Sequence, residues 1–283
     1  MAHSMNADPP FSSIRYLPTN EAYDRWAEYY DTDGNFLQAM DDVELKTLFP
    51  RFLASISSPR PWRIVDMGCG TGRNTSLLLG VPEAEVIALD ASKGMLEAAK
   101  SRLLSSSLTP EVVEMQNGTA KSRPLAYSPL SNQPNIRFEI FDMLATSSSP
   151  VSVEPYTADA IISTLVVEHI PLPTFFAHVS QLLRPGGVLL LTNMHAHMGG
   201  ISQAGFVDIL TGEKIRPTSY AHTVEDTVLE AQRWGLEVES NGDGTGISER
   251  IVTEDMIEKL GLRSQKWIGI TCWFGGLFRK TAC

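Results

Sequence analysis

An α/β fold, with a doubly wound, mostly parallel sheet, is what this 283-residue sequence predicts. Three observations carry the prediction. Short apolar runs alternate with helical patterns between Arg63 and Thr192, the rhythm of strands joined by crossover helices. The runs are almost continuously apolar, as in strands buried on both faces. The first run also passes straight into Gly68, Gly70 and Gly72, where glycine permits a tight strand-to-helix turn and close approach to a ligand. An antiparallel C-terminal strand and an N-terminal helical cap complete the expected architecture.

In chain order, residues 1–20 read as a flexible arm, with Met1 to Met5 set aside, and residues 21–55 as the helical cap. Tyr23, Trp26 and Tyr30, then Leu37, Met40, Val43, Leu45 and Leu48, recur at helical spacing, and Gly34 divides them. The main domain, 56–283, opens with a Ser/Pro linker. Its strands are expected at Arg63–Met67, Val86–Asp90, Ile136–Phe141, Ala160–Thr164 and Val188–Thr192. Helices are expected from Asn74 to Leu79, after the capping residue Ser92 through Met95, Leu96, Ala99 and Leu103, and from Pro173 to Leu183, closed by Arg184-Pro185-Gly186-Gly187. Residues 105–135, rich in Ser, Pro, Asn and Gln, read as an inserted surface loop. Residues 195–235 read as a substrate-covering segment, ending in an amphipathic helix from Val224 to Trp234. A strand at Leu236–Val238, a capped helix from Thr253 to Leu260 and an apolar run from Trp267 to Arg279 close the sheet edge.

Composition narrows the partners. The 23 basic and 33 acidic residues leave a formal charge of −10, which repels a phosphate backbone and disfavours nucleic acid. The apolar runs fall short of a membrane span. Cys69, Cys272 and Cys283 lack metal-ligand spacing, so reduced thiols in the cytoplasm are expected. Asp41 and Asp42 suggest no third ligand, and no metal is expected.

Three features fall at the carboxyl ends of successive strands, where open parallel sheets bind ligands. The glycine loop opens a helix whose free N–H groups suit an anion. Asp90 can accept from a pair of ribose hydroxyls. Asp142 can accept from an adenine amino group, with Met143 against the ring. Arg73 stands where a dinucleotide fingerprint needs its third glycine, and no P-loop lysine follows.

Together with Tyr23-Asp24-Arg25-Trp26-Ala27-Glu28-Tyr29-Tyr30-Asp31, Leu89-Asp90-Ala91-Ser92 and the Arg-Pro-Gly-Gly turn, these pieces resemble the class I S-adenosylmethionine-dependent methyltransferases, over Tyr23 to Thr192. The resemblance implies a Rossmann-like methyltransferase fold with S-adenosyl-L-methionine as cofactor and its demethylated form as product. It implies that Asp66, Gly68, Gly70 and Gly72 hold the methionine part and that Asp90 and Ala91 hold the ribose. It places Asp142 and Met143 at the adenine, Thr164 and Leu165 beside the sulfonium, and Tyr30 over the cofactor.

The acceptor atom decides whether a base is needed, because the cofactor arrives activated. His195, just past the fifth strand, and His169, after the fourth, are the candidate catalytic residues. For His169 a structural role is the alternative. Trp26, Tyr29, Tyr220 and His222 are candidates for the acceptor wall, with core packing as the alternative for Trp26. The expected function is methylation of a small organic acceptor at oxygen or nitrogen, with sulfur a further option. A protein or peptide methyltransferase and a non-catalytic cofactor-binding protein are the rivals. A nicotinamide oxidoreductase is disfavoured by Arg73 and by the lack of a Tyr-x-x-x-Lys pair. The oligomeric state is left open.

Overall fold

The computed structural model describes residues 14–105, 111–116, 119–124, 135–145, 150, 152–240 and 246–281. The chain opens with β1 (Ile14–Leu17), α1 (Thr19–Trp26), a 3-10 turn at Tyr30–Thr32 and α2 (Phe36–Ser55). Then come β2 (Trp62–Met67), α3 (Arg73–Leu78), β3 (Ala84–Asp90) and α4 (Lys93–Ser105). A ribbon of β4 (Glu111–Gln116) and β5 (Thr119–Pro124) precedes β6 (Ile136–Ile140), β7 (Ala158–Thr164), α5 (Leu172–Leu182) and β8 (Leu183–Met194). The remainder is α6 (Ala196–Ile201), β9 (Phe206–Val207), β10 (Lys214–Pro217), α7 (Val224–Arg233), β11 (Leu236–Val238), β12 (Ile247–Ile251), α8 (Ile257–Leu260) and β13 (Thr271–Lys280).

The main sheet runs β11-β13-β8-β7-β2-β3-β6, with β12 also on β13. The pairs β6-β3, β3-β2, β2-β7 and β7-β8 are parallel, and every pair made by β13 is antiparallel. Period-two alternation sends successive residues of β2 to opposite faces. Ile64 packs with Met40, Phe52 and Trp273 on the α2 side, whereas Val65 and Met67 pack with Phe175, Phe176 and Phe278 on the α5 side. Both faces are covered, which explains the unbroken apolar runs. Among the described residues no helix is long and apolar enough to cross a membrane.

The expected doubly wound sheet and its antiparallel C-terminal strand are present. Several local expectations are corrected. The arm is structured from Ile14, because β1 pairs in parallel with β10. Helix α1 stops at Trp26, so Tyr29 and Tyr30 lie beyond it, Tyr30 on the 3-10 turn. The expected loop at 105–135 carries an antiparallel ribbon, Gln116 pairing with Thr119. The Asn117-Gly118 dipeptide between them is a strong two-residue hairpin signal; the rest of that insert, like Cys283, lies outside the described residues. Arg184–Gly187 forms an irregularity inside β8, where pairing with β7 jumps from Leu183 to Val188. The expected helix at Thr253–Leu260 divides into a 3-10 turn and the short α8, without a side-chain cap from Thr253.

Candidate functional site

Strand β2 has β3 on one side and β7 on the other, so chain order reverses around it. That reversal opens a crevice at the carboxyl ends of the strands. A cavity of about 640 Å³ lies there, within the range of pockets that enclose a cofactor-sized ligand. Gly68, Gly70, Asp90, Ala91, Asp142, Met143, Thr164, Leu165 and Tyr30 all line it.

The glycine loop is held to its neighbour strand by the N–H groups of Gly68 and Cys69, both donating to the Leu89 carbonyl at 2.8 and 2.9 Å. Asp90 fastens it further. Its Oδ2 accepts from the Gly70 N–H and its Oδ1 from the Ser92 N–H, each at 2.8 Å. Burial pushes the Asp90 carboxyl up to about 6 against these stabilising bonds. Asp142 is half-buried and accepts from the Leu144 N–H at 2.9 Å.

Two residues implied as direct cofactor contacts are placed otherwise. Asp66 does not line the cavity; it is buried and accepts from the Thr75 hydroxyl at 2.6 Å, tying β2 to α3 from within. Gly72 faces α4, where an added Cβ would lie 3.1 Å from the Ala99 Cβ. Both support the loop from behind.

Burial pushes Asp66 up to about 7, so the folded state holds this proton more tightly than the unfolded chain. Its stabilising contribution is present below the ordinary value of 3.8 and is lost as pH rises through about 7. Asp66→Asn is therefore expected to gain stability relative to the parent protein between pH 5 and pH 8. Urea unfolding at the two values measures this, and a pH-independent difference would contradict it.

The N-terminal cap closes the crevice through carboxylates. Asp24 accepts from the Ser92 hydroxyl at 2.6 Å and the Gly94 N–H at 2.8 Å, completing the start of α4. Asp31 accepts from the Thr71 hydroxyl at 2.8 Å and pairs with Arg102. Tyr16 to Asn20, Tyr23 and Tyr30 thereby become part of the cavity wall.

A smaller chamber of about 150 Å³ adjoins it, and Tyr23, Tyr30 and Leu165 line both. Its other walls include Trp26, Glu168, Met194, Lys214, Arg263 and Trp267.

His169 lines the cofactor cavity. Its Nδ1 meets the Thr218 carbonyl at 2.7 Å, an acceptor, so Nδ1 carries the proton. Its Nε2 then accepts from the Tyr23 hydroxyl at 2.8 Å. Burial lowers His169 to about 4, which keeps it neutral at pH 7. His195 is corrected: it lines neither cavity. It begins α6, accepting from the His197 N–H at 3.0 Å, while Nε2 lies 3.0 Å from Glu249. The backbone pairing of His195 with Cys272 extends the sheet past Met194 and carries the side chain away.

Tyr220 and His222 stack on each other at 5.3 Å, also outside both cavities, and His222 bonds to the Ile170 carbonyl. They brace the His169 segment from outside. Tyr29 packs edge-on against Phe206 and lines neither cavity. Trp26 stacks on Phe206 at 4.8 Å and also forms chamber wall. Of the segment 195–235, residues up to Thr218 reach the cavities; α7 packs against α5 and β11 instead.

Among the cavity residues that sequence reasoning missed, four carry polar chemistry next to the expected site. In the sequence Tyr23 stands out as a periodic aromatic and part of the resemblance motif, Arg73 as a missing glycine, and Glu168 not at all. Asn74 was seen only as a helix start, yet its Oδ1 is buried, unpartnered and lines the cofactor cavity. Arg73 lines it too, donating to Thr164 at 3.0 Å and to Asp41 and Asp42 at 2.5 and 2.6 Å. The orphaned Asn74 acceptor, the Asp90 carboxylate and the open space beyond Gly70 fit the ammonium, diol and backbone-contacting parts of S-adenosylmethionine.

A family model described as a methyltransferase domain matches residues 65–189. An uncharacterised methyltransferase of Emericella nidulans is 45% identical over 278 residues, covering 93% of this chain and 91% of that protein. A trans-aconitate 2-methyltransferase of an Acidovorax species is 50% identical over 52 residues, 18% of this chain and 20% of that protein. Among solved structures, an S-adenosylmethionine-dependent methyltransferase from Mesorhizobium loti superposes with a TM-score of 0.52 at 18% identity, covering 82% of this chain and 97% of that one.

Proposed function

The chain belongs to the S-adenosylmethionine-dependent methyltransferases, and from that membership we propose that its acceptor is a small organic molecule, methylated at oxygen or nitrogen. The observation that carries this is the chamber of about 150 Å³ sharing Tyr23, Tyr30 and Leu165 with the cofactor cavity. A cavity of about that size admits benzene, so a ring or a short chain fits within it. The name of the trans-aconitate relative is in keeping with a small acceptor, although the likeness covers 52 residues.

When bound, the cofactor supplies a methyl group already activated on sulfur. The chain's residues position it and the acceptor. In this reading Asp90 and Ala91 hold the ribose, Asp142 and Met143 the adenine, and Gly68, Gly70, Arg73 and Asn74 the methionine end. Thr164 and Leu165 flank the sulfonium. His169 acts as a positioning residue that fixes the Tyr23 hydroxyl between the two cavities. At about 4 it is too weakly basic to be the favoured proton acceptor at neutral pH.

The test is incubation with methyl-labelled cofactor and an extract of the organism that makes the protein, divided by size. Label is expected in the low-mass fraction. Label confined to protein would overturn the reading.

A further inference from the structure

Glu168 lines the small chamber and is 4% exposed. Its Oε2 is buried without a hydrogen-bond partner. Trp267 lines the same chamber, and its Nε1–H is also buried and unpartnered. Buried polar atoms are normally bonded, and an orphaned carboxylate oxygen is costly. Asp33 Oδ1 on the same wall is unpartnered too, but Arg263 lies 3.9 Å from it and Asp33 Oδ2 already takes the Trp26 N–H. Glu168 Oε2 and the Trp267 N–H are thus the acceptor and donor left for a ligand that supplies their complements. Glu168 stands three positions past Leu165, which lines both cavities, and its neighbour His169 lines the cofactor cavity.

Resting on the small-molecule reading above, we propose that Glu168 is the base that takes the acceptor's proton, and that the acceptor is a hydroxyl compound methylated on oxygen. Lys214, Arg263 and Lys266 also line the chamber. Set against the carboxylates of Asp33 and Glu168, these three cations leave the chamber net positive, which disfavours an ammonium, the form in which an alkyl amine arrives at neutral pH. A carboxylate acceptor has no proton to give and would face the Glu168 carboxylate. A hydroxyl donates to Glu168 Oε2, and a second oxygen on the acceptor takes the Trp267 N–H.

The step balances. The acceptor O–H proton passes to Glu168, and an oxygen electron pair forms the bond to the methyl carbon. The carbon–sulfur bond breaks, its pair stays on sulfur, and the cofactor leaves as a neutral thioether. Glu168 then releases its proton to solvent.

The charged and titratable groups around Glu168 set its behaviour. They are Tyr23 of α1, Tyr30, Asp33, Asp41 of α2, His169 at 3.9 Å, Lys214 of β10, and Arg263 with Lys266. Burial, with Asp41 adding to it, pushes Glu168 up to about 7, matched to proton transfer near neutral pH.

The experiment has two parts. First, the low-mass product labelled from methyl-labelled cofactor is identified by mass spectrometry and alkaline hydrolysis. An alkali-stable methyl ether is expected; a methylamine or a methyl ester overturns the proposal while leaving the small-molecule reading standing. Label in protein alone overturns both. Second, with the identified acceptor, the parent rate should rise with pH and level above about 7. Glu168→Gln should lower kcat by about 10²–10⁴-fold, the usual contribution of a general base, and remove that rise. Its affinity for the demethylated cofactor, read by calorimetry, should be unchanged, which shows the fold intact. A variant that binds cofactor normally and keeps both kcat and the pH rise would sink the assignment.

Discussion

Asp41→Ala is expected to cost the fold about 3–5 kcal/mol, the range for removing one partner of a buried ion pair. Asp41 is fully buried on α2. Its Oδ2 lies 2.5 Å from the Arg73 guanidinium, and its Oδ1 accepts from the Thr192 hydroxyl at 2.6 Å and the Trp273 N–H at 2.8 Å. One carboxylate thereby joins the cap helix, the helix after the glycine loop, and strands β8 and β13. Removing it leaves two buried donors unsatisfied and a half-neutralised arginine, because Arg73 keeps Asp42 and Thr164. Asp41→Asn retains an oxygen for Thr192 and Trp273 and should lose less. Urea unfolding of both variants checks the order. Equal stability of Asp41→Ala and the parent would show that the network contributes nothing net.

Gly68→Ala should destabilise the protein by about 2–5 kcal/mol. A left-handed backbone costs a non-glycine residue about 1–2 kcal/mol, and overpacking adds about 1–3 kcal/mol. Gly68 has φ +76°, and an added Cβ would sit 2.4 Å from Val166 Cγ2. Gly70→Ala is the informative contrast. Gly70 has φ +54°, with nothing within 4 Å of an added Cβ, and it lines the cofactor cavity. It should lose only the backbone share of stability, about 1–2 kcal/mol, yet bind the demethylated cofactor more weakly by calorimetry. If Gly70→Ala bound cofactor as well as the parent, the space beyond it would not be where the cofactor lies.

The contrast between these glycines shows what a sequence can and cannot disclose. The strand-turn-helix punctuation around Gly68, Gly70 and Asp90 is local, so the spacing alone places it at strand ends. Which glycine faces a ligand and which faces Ala99 depends on helices distant in sequence. The same holds for the histidines. His169 and His195 both follow strands, but only β7 ends at the crevice with its next turn facing inward, whereas β8 runs on beside β13. Trp26, Tyr29, Tyr220 and His222 are aromatic enough to line a pocket, yet Phe206 and the stacking of Tyr220 on His222 claim most of them. A usable signal existed for Glu168 and Asp41. Glu168 directly follows the apolar run Leu165-Val166-Val167, and Asp41 stands four residues from both Leu37 and Leu45, on the apolar face of its helix, where burial demands a partner.

The place of β13 in the sheet has a consequence for how the molecule is made. Strands β11 and β12 precede β13 in the sequence but lie outside it, each paired, among the described residues, with β13 alone. On a nascent chain emerging from the ribosome they have no strand to join, and β8 presents an open apolar edge, the kind that invites pairing with other chains. Synthesis of Thr271–Lys280 supplies that strand. It seals β8, docks the two waiting strands, and brings the Trp273 N–H to Asp41. A ribosome stall before Thr271 therefore leaves a chain that carries its whole glycine loop and still cannot finish its sheet.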